Sequence, residues 1–276
     1  MQFSRSVPLS LAVAGVTVAA TWCYALAQSA DFKPQVGQEG KDVVWVPTAQ
    51  ALVDRMLDMA KATPKDYVID LGSGDGRTVI IAAKRGIKAR GIEYNPDMVE
   101  LAKRNALKAG VADSAIFVTA DIFESDFSQA TVLTLFLLTE LNIRLRPTIL
   151  TMKPGTRVVS NSFGMGDWTP DETAQASEGC TSFCRASLWI VPAKVEGTWQ
   201  MGQSELALEQ KYQMISGKVR SGNVIAPITK GKMGGDQIAF TAGDTQYTGL
   251  VTGNTIEGTA KSGAGETKWQ ATRIGK

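Results

Sequence analysis

Residues 67–76 read Tyr-Val-Ile-Asp-Leu-Gly-Ser-Gly-Asp-Gly, and a helical segment begins at Arg77. An apolar run reaches an acid, Asp70, and then glycine stands at every second position. Glycines so spaced let the backbone turn sharply and let a ligand approach it closely. The helix that follows offers unpaired N–H groups and a partial positive charge at its start. A strand, a glycine loop and a helix in this order form a nucleotide-type site.

The spacing separates two kinds of ligand. A dinucleotide fingerprint requires G-x-G-x-x-G, whereas this loop is Gly72-x-Gly74-x-Gly76. Asp70 and Asp75 would repel a pyrophosphate. They suit a ligand with a positive centre and an ammonium group. A tight turn without a ligand is the plain alternative for the loop taken alone. Two further acids favour the ligand reading. Residues 89–95 read as a second strand ending near Glu93, where a βαβ unit places a carboxylate for ribose hydroxyls. Residues 96–109 carry a helical apolar pattern, with Pro96 suited to the first turn and Gly110 to the end. Residues 115–122 read as a third strand, running to Asp121 and Ile122. Three strands each leading to a carboxylate form a constellation that separate helix caps do not explain.

Residues 131–138 form a nearly continuous apolar run, as a strand buried on both faces does. Further strands are expected near 158–161 and 187–191. Alternating strands and helices predict an α/β fold: a mostly parallel, Rossmann-like sheet with helices on both faces. Its ligands would sit at the carboxyl ends of the strands.

The stretches Trp45-Val46-Pro47-Thr48, residues 70–77 and Gly91-Ile92-Glu93-Tyr94-Asn95-Pro96 resemble the class I S-adenosylmethionine (SAM) methyltransferases. Within that class they resemble the small lysine methyltransferases related to the enzyme that modifies the ATP synthase c-ring protein. Asn161-Ser162-Phe163 and residues 167–171 are similar to that family's late segments. The resemblance implies SAM as cofactor. It implies that Gly72, Ser73 and Gly74 bracket the methionine part, Glu93 the ribose, and Asp121 with Ile122 the adenine. Thr48 would reach the methionine carboxylate, and Asp70, Asp75, Gly76 and Tyr94 complete the candidate cofactor-binding set. The implied reaction is N-methylation of a protein lysine or other amine.

The chain has no histidine, which excludes mechanisms that need an imidazole base or ligand. Methyl transfer from a sulfonium is an in-line displacement, and a neutral amine needs no further activation. The segment after the fourth strand reads Phe-Leu-Leu-Thr-Glu at 136–140, without the Asn-Pro-Pro-Tyr-type motif of amide and adenine methylases. Glu140 is the candidate catalytic residue, to orient or deprotonate the amine; the alternative is a helix-capping role. Phe163 and Trp168 are candidates to wall an acceptor channel, although aromatic residues more often belong to a core. Metal ligands lack the necessary clustering. A net charge of +2 over 276 residues gives no nucleic-acid footprint, so the expected partner is a protein acceptor.

The two ends differ from the middle. Arg5 precedes an uncharged apolar stretch, and Ala25-Leu26-Ala27 has the A-x-A form of a cleavage site. Residues 1–27 thus read as a signal peptide of an exported, periplasmic protein. A retained membrane anchor is the alternative, since about 20 apolar residues span a bilayer. Beyond the leader only Cys180 and Cys184 remain, in a loop rich in small residues, as a local disulfide or as free thiols. Residues 28–44 form a polar lead-in, and 45–195 the SAM-binding domain. Residues 196–276 hold 14 of the 27 glycines. Short alternating runs there are separated by Gly222-Asn223, Gly235-Asp236, Gly243-Asp244 and Gly253-Asn254. Such pairs suit tight hairpins, and predict a small C-terminal antiparallel β-domain, a meander or barrel of seven or eight strands. A second functional reading is an exported binding protein that keeps the methyltransferase fold without turnover. A nicotinamide oxidoreductase is disfavoured by the glycine spacing.

Overall fold

The computed structural model describes residues 1–2, 32–176 and 178–275. The expected signal peptide, apart from Met1 and Gln2, lies outside the described residues. All secondary structure below belongs to the unit Lys33–Lys276.

Residues 32–49 form an irregular strap without helix or strand. Helix α1 (Gln50–Met59) follows, then β1 (Tyr67–Leu71), α2 (Arg77–Lys84), β2 (Lys88–Glu93), α3 (Pro96–Lys108), β3 (Ala115–Thr119), β4 (Val132–Leu135), α4 (Thr139–Ile149), β5 (Arg157–Asn161), β6 (Glu172–Gln175) and β7 (Arg185–Ile190). These strands make a sheet ordered β3-β2-β1-β4-β5-β7-β6. The first five in that order are parallel, while β7 and β6 run antiparallel. Side chains alternate across the pleat. Val68 of β1 packs with α1, α2 and α3 on one face, and Ile69 and Leu71 pack with α4 on the other. Burial on both faces explains why the central strands are apolar throughout. Asn95 caps α3 by accepting the N–H of Asp97 at 2.9 Å, with Pro96 in the first turn.

The third strand stops at Thr119, so Asp121 and Ile122 stand in the loop beyond it. Strand β6 was not legible in the sequence. It is a short edge strand whose residues are mostly exposed, and it lacks the apolar alternation that marks a strand.

The remaining chain is an antiparallel up-and-down barrel of β8 (Gly197–Met201), β9 (Ser204–Lys211), β10 (Met214–Ser221), β11 (Val224–Gly234), β12 (Gln237–Ala242), β13 (Thr245–Thr252), β14 (Thr255–Ser262) and β15 (Gly265–Gly275). Of the two expected forms, meander or barrel, the chain takes the closed one: β8 pairs with both β9 and β15. Gly222, Gly243 and Gly253 open their turns at φ 57–58°, as a hairpin with glycine in the first turn position requires. The interior is filled by Trp199, Leu208, Met233, Phe240 and Ile256 among others.

The barrel and sheet meet at the loop before β6. Tyr212, at the β9–β10 turn, stacks on Trp168 with ring centroids 5.7 Å apart and donates its hydroxyl to Asp167 at 2.8 Å. Arg146 of α4 and Lys211 pair with the same carboxylate at 2.7 and 3.0 Å. These donors, Tyr212 foremost, hold the Asp167 carboxyl below the ordinary range. Gln213 donates to the carbonyl of Thr169 at 2.7 Å, and Lys232 pairs with Asp171 at 2.9 Å. Trp168 is wholly buried against Trp189 and Tyr212. It therefore belongs to the core at this junction rather than to the wall of an open channel. Trp168→Ala is expected to cost about 3–5 kcal/mol, the range for truncating a buried aromatic. Equilibrium unfolding in urea measures this, and a loss below about 1 kcal/mol would show that the junction does not depend on the ring.

Candidate cofactor and acceptor site

The strand order reverses between β1 and β4, and the loops at their carboxyl ends leave a cleft there. Gly74 and Gly76 adopt φ of +52° and +82°. A Cβ on Gly74 would lie 2.7 Å from the Trp45 indole nitrogen, and one on Gly76 would lie 2.7 Å from Phe117. The loop is therefore confined to glycine by conformation and by space. It is fastened sideways to β2: the Gly72 and Ser73 N–H groups donate to the carbonyl of Ile92 at 2.8 and 3.1 Å. The Gly74 N–H donates to a carboxylate oxygen of Glu93 at 2.9 Å, and the other oxygen accepts the Asn95 N–H at 3.0 Å.

Thr48, Asp70, Gly72, Ser73, Gly74, Asp75, Glu93, Tyr94, Asp121 and Ile122 all line this one cavity. Gly76 lies behind it, capping α2. Glu140 does not line it: the side chain is exposed in the first turn of α4. A carboxylate there suits the positive end of the helix, and the geometry gives it no reach to the cleft.

Asp70 is buried, and Thr134 donates its hydroxyl to it at 2.6 Å. Its carboxyl is pushed up to about 7, chiefly by burial, with the negative charge of Glu93 adding to the rise and Thr134 opposing it. Asp121 pairs with Lys41 of the strap. That hydrogen bond lowers the carboxyl of Asp121 and raises the ammonium of Lys41. Lys41 also lies 4.7 Å from the centre of the Tyr94 ring.

The strap is the part that sequence reasoning missed. Residues expected to be a lead-in form a wall of the cavity, from Gln38 to Thr48. Gly37 donates to the carbonyl of Trp45, and Trp45 to that of Gln38, both at 2.9 Å. Arg77 then ties the strap to the glycine loop, donating to the carbonyl of Thr48 at 2.9 Å and pairing with Asp75 at 2.7 Å. Only the Trp-Val-Pro-Thr stretch gave any signal of this role. The apolar side is made by Met98, Leu135, Phe136, Leu137 and Leu141. Among the described residues no group of three or more His, Cys, Asp or Glu is placed to hold a metal.

The cavity fits an adenosyl sulfonium. It presents carboxylates for hydroxyl and amino donors, a glycine loop close to the ligand, and a net negative lining for a cation. The Ser73 hydroxyl, buried beside it, has no hydrogen-bond partner among the described residues.

A family model for the ANTKMT methyltransferase domain matches residues 70–172. A protein-lysine N-methyltransferase of Saccharolobus islandicus is 45% identical over 140 residues, covering 50% of this chain and 87% of that protein. The mouse lysine N-methyltransferase of the ATP synthase c-ring protein is 35% identical over 130 residues, covering 47% of this chain and 52% of the mouse protein. The chain thus matches about half the length of that relative. Among solved structures, an RNA methyltransferase of Salinibacter ruber in complex with S-adenosylhomocysteine is 45% identical, with a TM-score of 0.50. That match covers 54% of this chain and 96% of the other. No match gives support to a binding protein without turnover.

The raised Asp70 carboxyl has a consequence that can be measured. Its folded value lies above the unfolded value near 3.9, so the folded protein binds the extra proton between these limits. Stability without cofactor should fall as pH rises from about 4 through 7. Asp70→Asn should flatten that slope in urea titrations from pH 4 to 8, and an unchanged slope would assign the pH dependence to another group. A cationic ligand favours the ionised carboxyl, so cofactor affinity should rise over the same interval. With the glycine loop, the acids and the 45% identity to the archaeal enzyme together, the chain belongs to the class I methyltransferase family of these small lysine methyltransferases, and it is a SAM-dependent methyltransferase.

Proposed function

We propose that the chain N-methylates lysine side chains of a protein. The observation that carries this reading is the 45% identity to the Saccharolobus protein-lysine N-methyltransferase over 140 residues. The apolar wall of Phe136, Leu137 and Leu141 beside the acids supports it, because an alkyl stem is accommodated there without a polar partner.

SAM supplies an electrophilic methyl group on a sulfonium. Around it the chain's residues hold and exclude. In this reading Glu93 binds the ribose hydroxyls while keeping its bond from Gly74. Asp121 and Ile122 take the adenine, and Thr48 with Gly72, Ser73 and Gly74 takes the methionine end. The ionised form of Asp70 balances the cofactor's positive charge. The strap walls the site and keeps water out, which the displacement requires. The amine arrives neutral, so the chain needs no base. The rate should therefore climb with pH toward the lysine value near 10.4.

The solved Salinibacter relative is described as an RNA methyltransferase, which makes RNA the second acceptor reading. The modest net charge argues against it. Incubation with radiolabelled SAM and a cell extract separates the two. Label in the protein fraction, on lysine after hydrolysis, is expected; label confined to RNA would overturn the lysine reading. Glu93→Ala should weaken S-adenosylhomocysteine binding by about 1.5–3 kcal/mol in calorimetric titration, the range for bonds to a charged group. Gly74→Val should abolish binding and labelling while the barrel stays folded. Labelling retained by this variant would place the methyl donor elsewhere.

Export belongs to the same proposal. The bridge between Cys180 and Cys184 supports it, since disulfides persist in oxidising compartments. After expression in a Gram-negative host, the mature N-terminus should be Gln28 in the periplasmic fraction. Intact Met1 in the membrane fraction would favour the anchor, and intact Met1 in the cytosol would defeat both readings.

A further inference from the structure

Three phenylalanines gather beside the cofactor cavity. Phe136 follows β4 and lines the cavity itself. Its ring centre is 6.1 Å from that of Phe163, after β5, and 5.4 Å from that of Phe183. Phe163 and Phe183 are 6.1 Å apart. The three rings thus form a triangle with one corner in the cavity and one in solvent, for Phe183 is 43% exposed.

Each corner is held by a separate device. The carbonyls of Phe163 and Gly164 accept from the buried Asn142 amide of α4, both at 3.2 Å. Ser162, at φ +59°, donates its N–H to the carbonyl of Arg185 at 2.8 Å. Its hydroxyl donates to Asn161, whose amide donates to Thr48 in the cavity wall at 3.3 Å. Phe183 lies at the tip of the β6–β7 hairpin, inside the ring closed by the Cys180–Cys184 disulfide. Its φ is +53°, a region that bulky residues avoid and keep only where the surroundings over-determine it. The bridge and the bond from the Ala176 N–H to the carbonyl of Cys184, at 2.9 Å, provide that determination. A strained, exposed phenylalanine turned onto two other rings serves no packing need of the core.

We propose that Phe136, Phe163 and Phe183 form the port through which an acceptor lysine enters, and that the Cys180–Cys184 ring sets its outer rim. The proposal rests on the lysine reading above and names the residues that determine acceptor affinity. The apolar rings take the alkyl stem, and their negative faces favour the amine as it acquires positive charge. The port is continuous with the cofactor cavity through Phe136, which directs the chain end to the methyl group.

The test compares the wild type with Phe183→Ala, Phe183→Leu and the double variant Cys180→Ser/Cys184→Ser. Acceptor probes are poly-L-lysine and the protein fraction of a heated cell extract, each titrated at saturating SAM. Phe183→Ala should raise KM for the acceptor about tenfold, with kcat and S-adenosylhomocysteine affinity within twofold of wild type. Calorimetric binding of poly-L-lysine to the S-adenosylhomocysteine complex should weaken in parallel. Phe183→Leu should recover part of the loss, and the double cysteine variant should follow Phe183→Ala. A wild type that methylates lysine, with KM unchanged in Phe183→Ala, would overturn the port and leave the lysine reading standing. A wild type that labels RNA and neither protein probe would overturn the lysine reading, and the port with it.

Discussion

The glycine loop after β1 stands because β2 holds it. Three consecutive N–H groups, those of Gly72, Ser73 and Gly74, are spent on the end of β2, two on the carbonyl of Ile92 and one on the Glu93 carboxylate. A loop of glycines has large conformational freedom when unfolded, and these bonds remove it in the native state. The same bonds place the Glu93 carboxylate beside the loop. From that position it raises the carboxyl of the buried Asp70 in β1. Cofactor geometry, local electrostatics and the register of β1 on β2 therefore form one coupled arrangement. Arg77 extends it to the strap, and through the strap Lys41 reaches Asp121.

What was legible in the sequence was local. The loop, α2 and the cap at Asn95 each declare themselves within a few residues. The barrel hairpins do so as well, because a two-residue turn with glycine first leaves a compositional mark. What stayed hidden depends on contacts between distant segments. The strap is polar and aperiodic, and its place in the cavity wall comes from Lys41 meeting Asp121 and Trp45 meeting Gly74. Strand β6 pairs by its backbone alone at a sheet edge. Tyr212 occupies its turn at φ +55° without being glycine or asparagine, held by stacking and by Asp167 rather than by intrinsic preference. Glu140 looked catalytic because it follows the fourth strand. The helix starts one residue too early to aim it inward, and the neighbouring Leu141 lines the cavity instead.

The barrel bears on the site through the segment 163–171. Asn142 and Arg146 of α4 grip this segment from one side, by the carbonyls of Phe163 and Met165. Tyr212, Lys211 and Gln213 grip it from the other. A loop at the rim of a catalytic cleft is ordinarily among the mobile parts of a protein. Here it is clamped between a helix of the sheet domain and a turn of the barrel. A rigid rim favours a constant shape at the acceptor side, and the cost is carried by the ion pairs and stacked rings of the junction.

The barrel closes on its own first strand: Thr272 of β15 pairs with Gln200 of β8. That seam joins residues separated by nearly the whole domain, and the loop it closes is the longest in the barrel. Such contacts form late, because chain entropy must be surrendered before they return any stabilisation. During synthesis the sheet, the glycine loop and the strap can all be complete while the barrel is still an open ribbon with two unpaired edges. Open edges invite pairing with other chains. The interval before the seam closes is the vulnerable moment in the life of this protein, and chaperone demand should concentrate there rather than on the catalytic half.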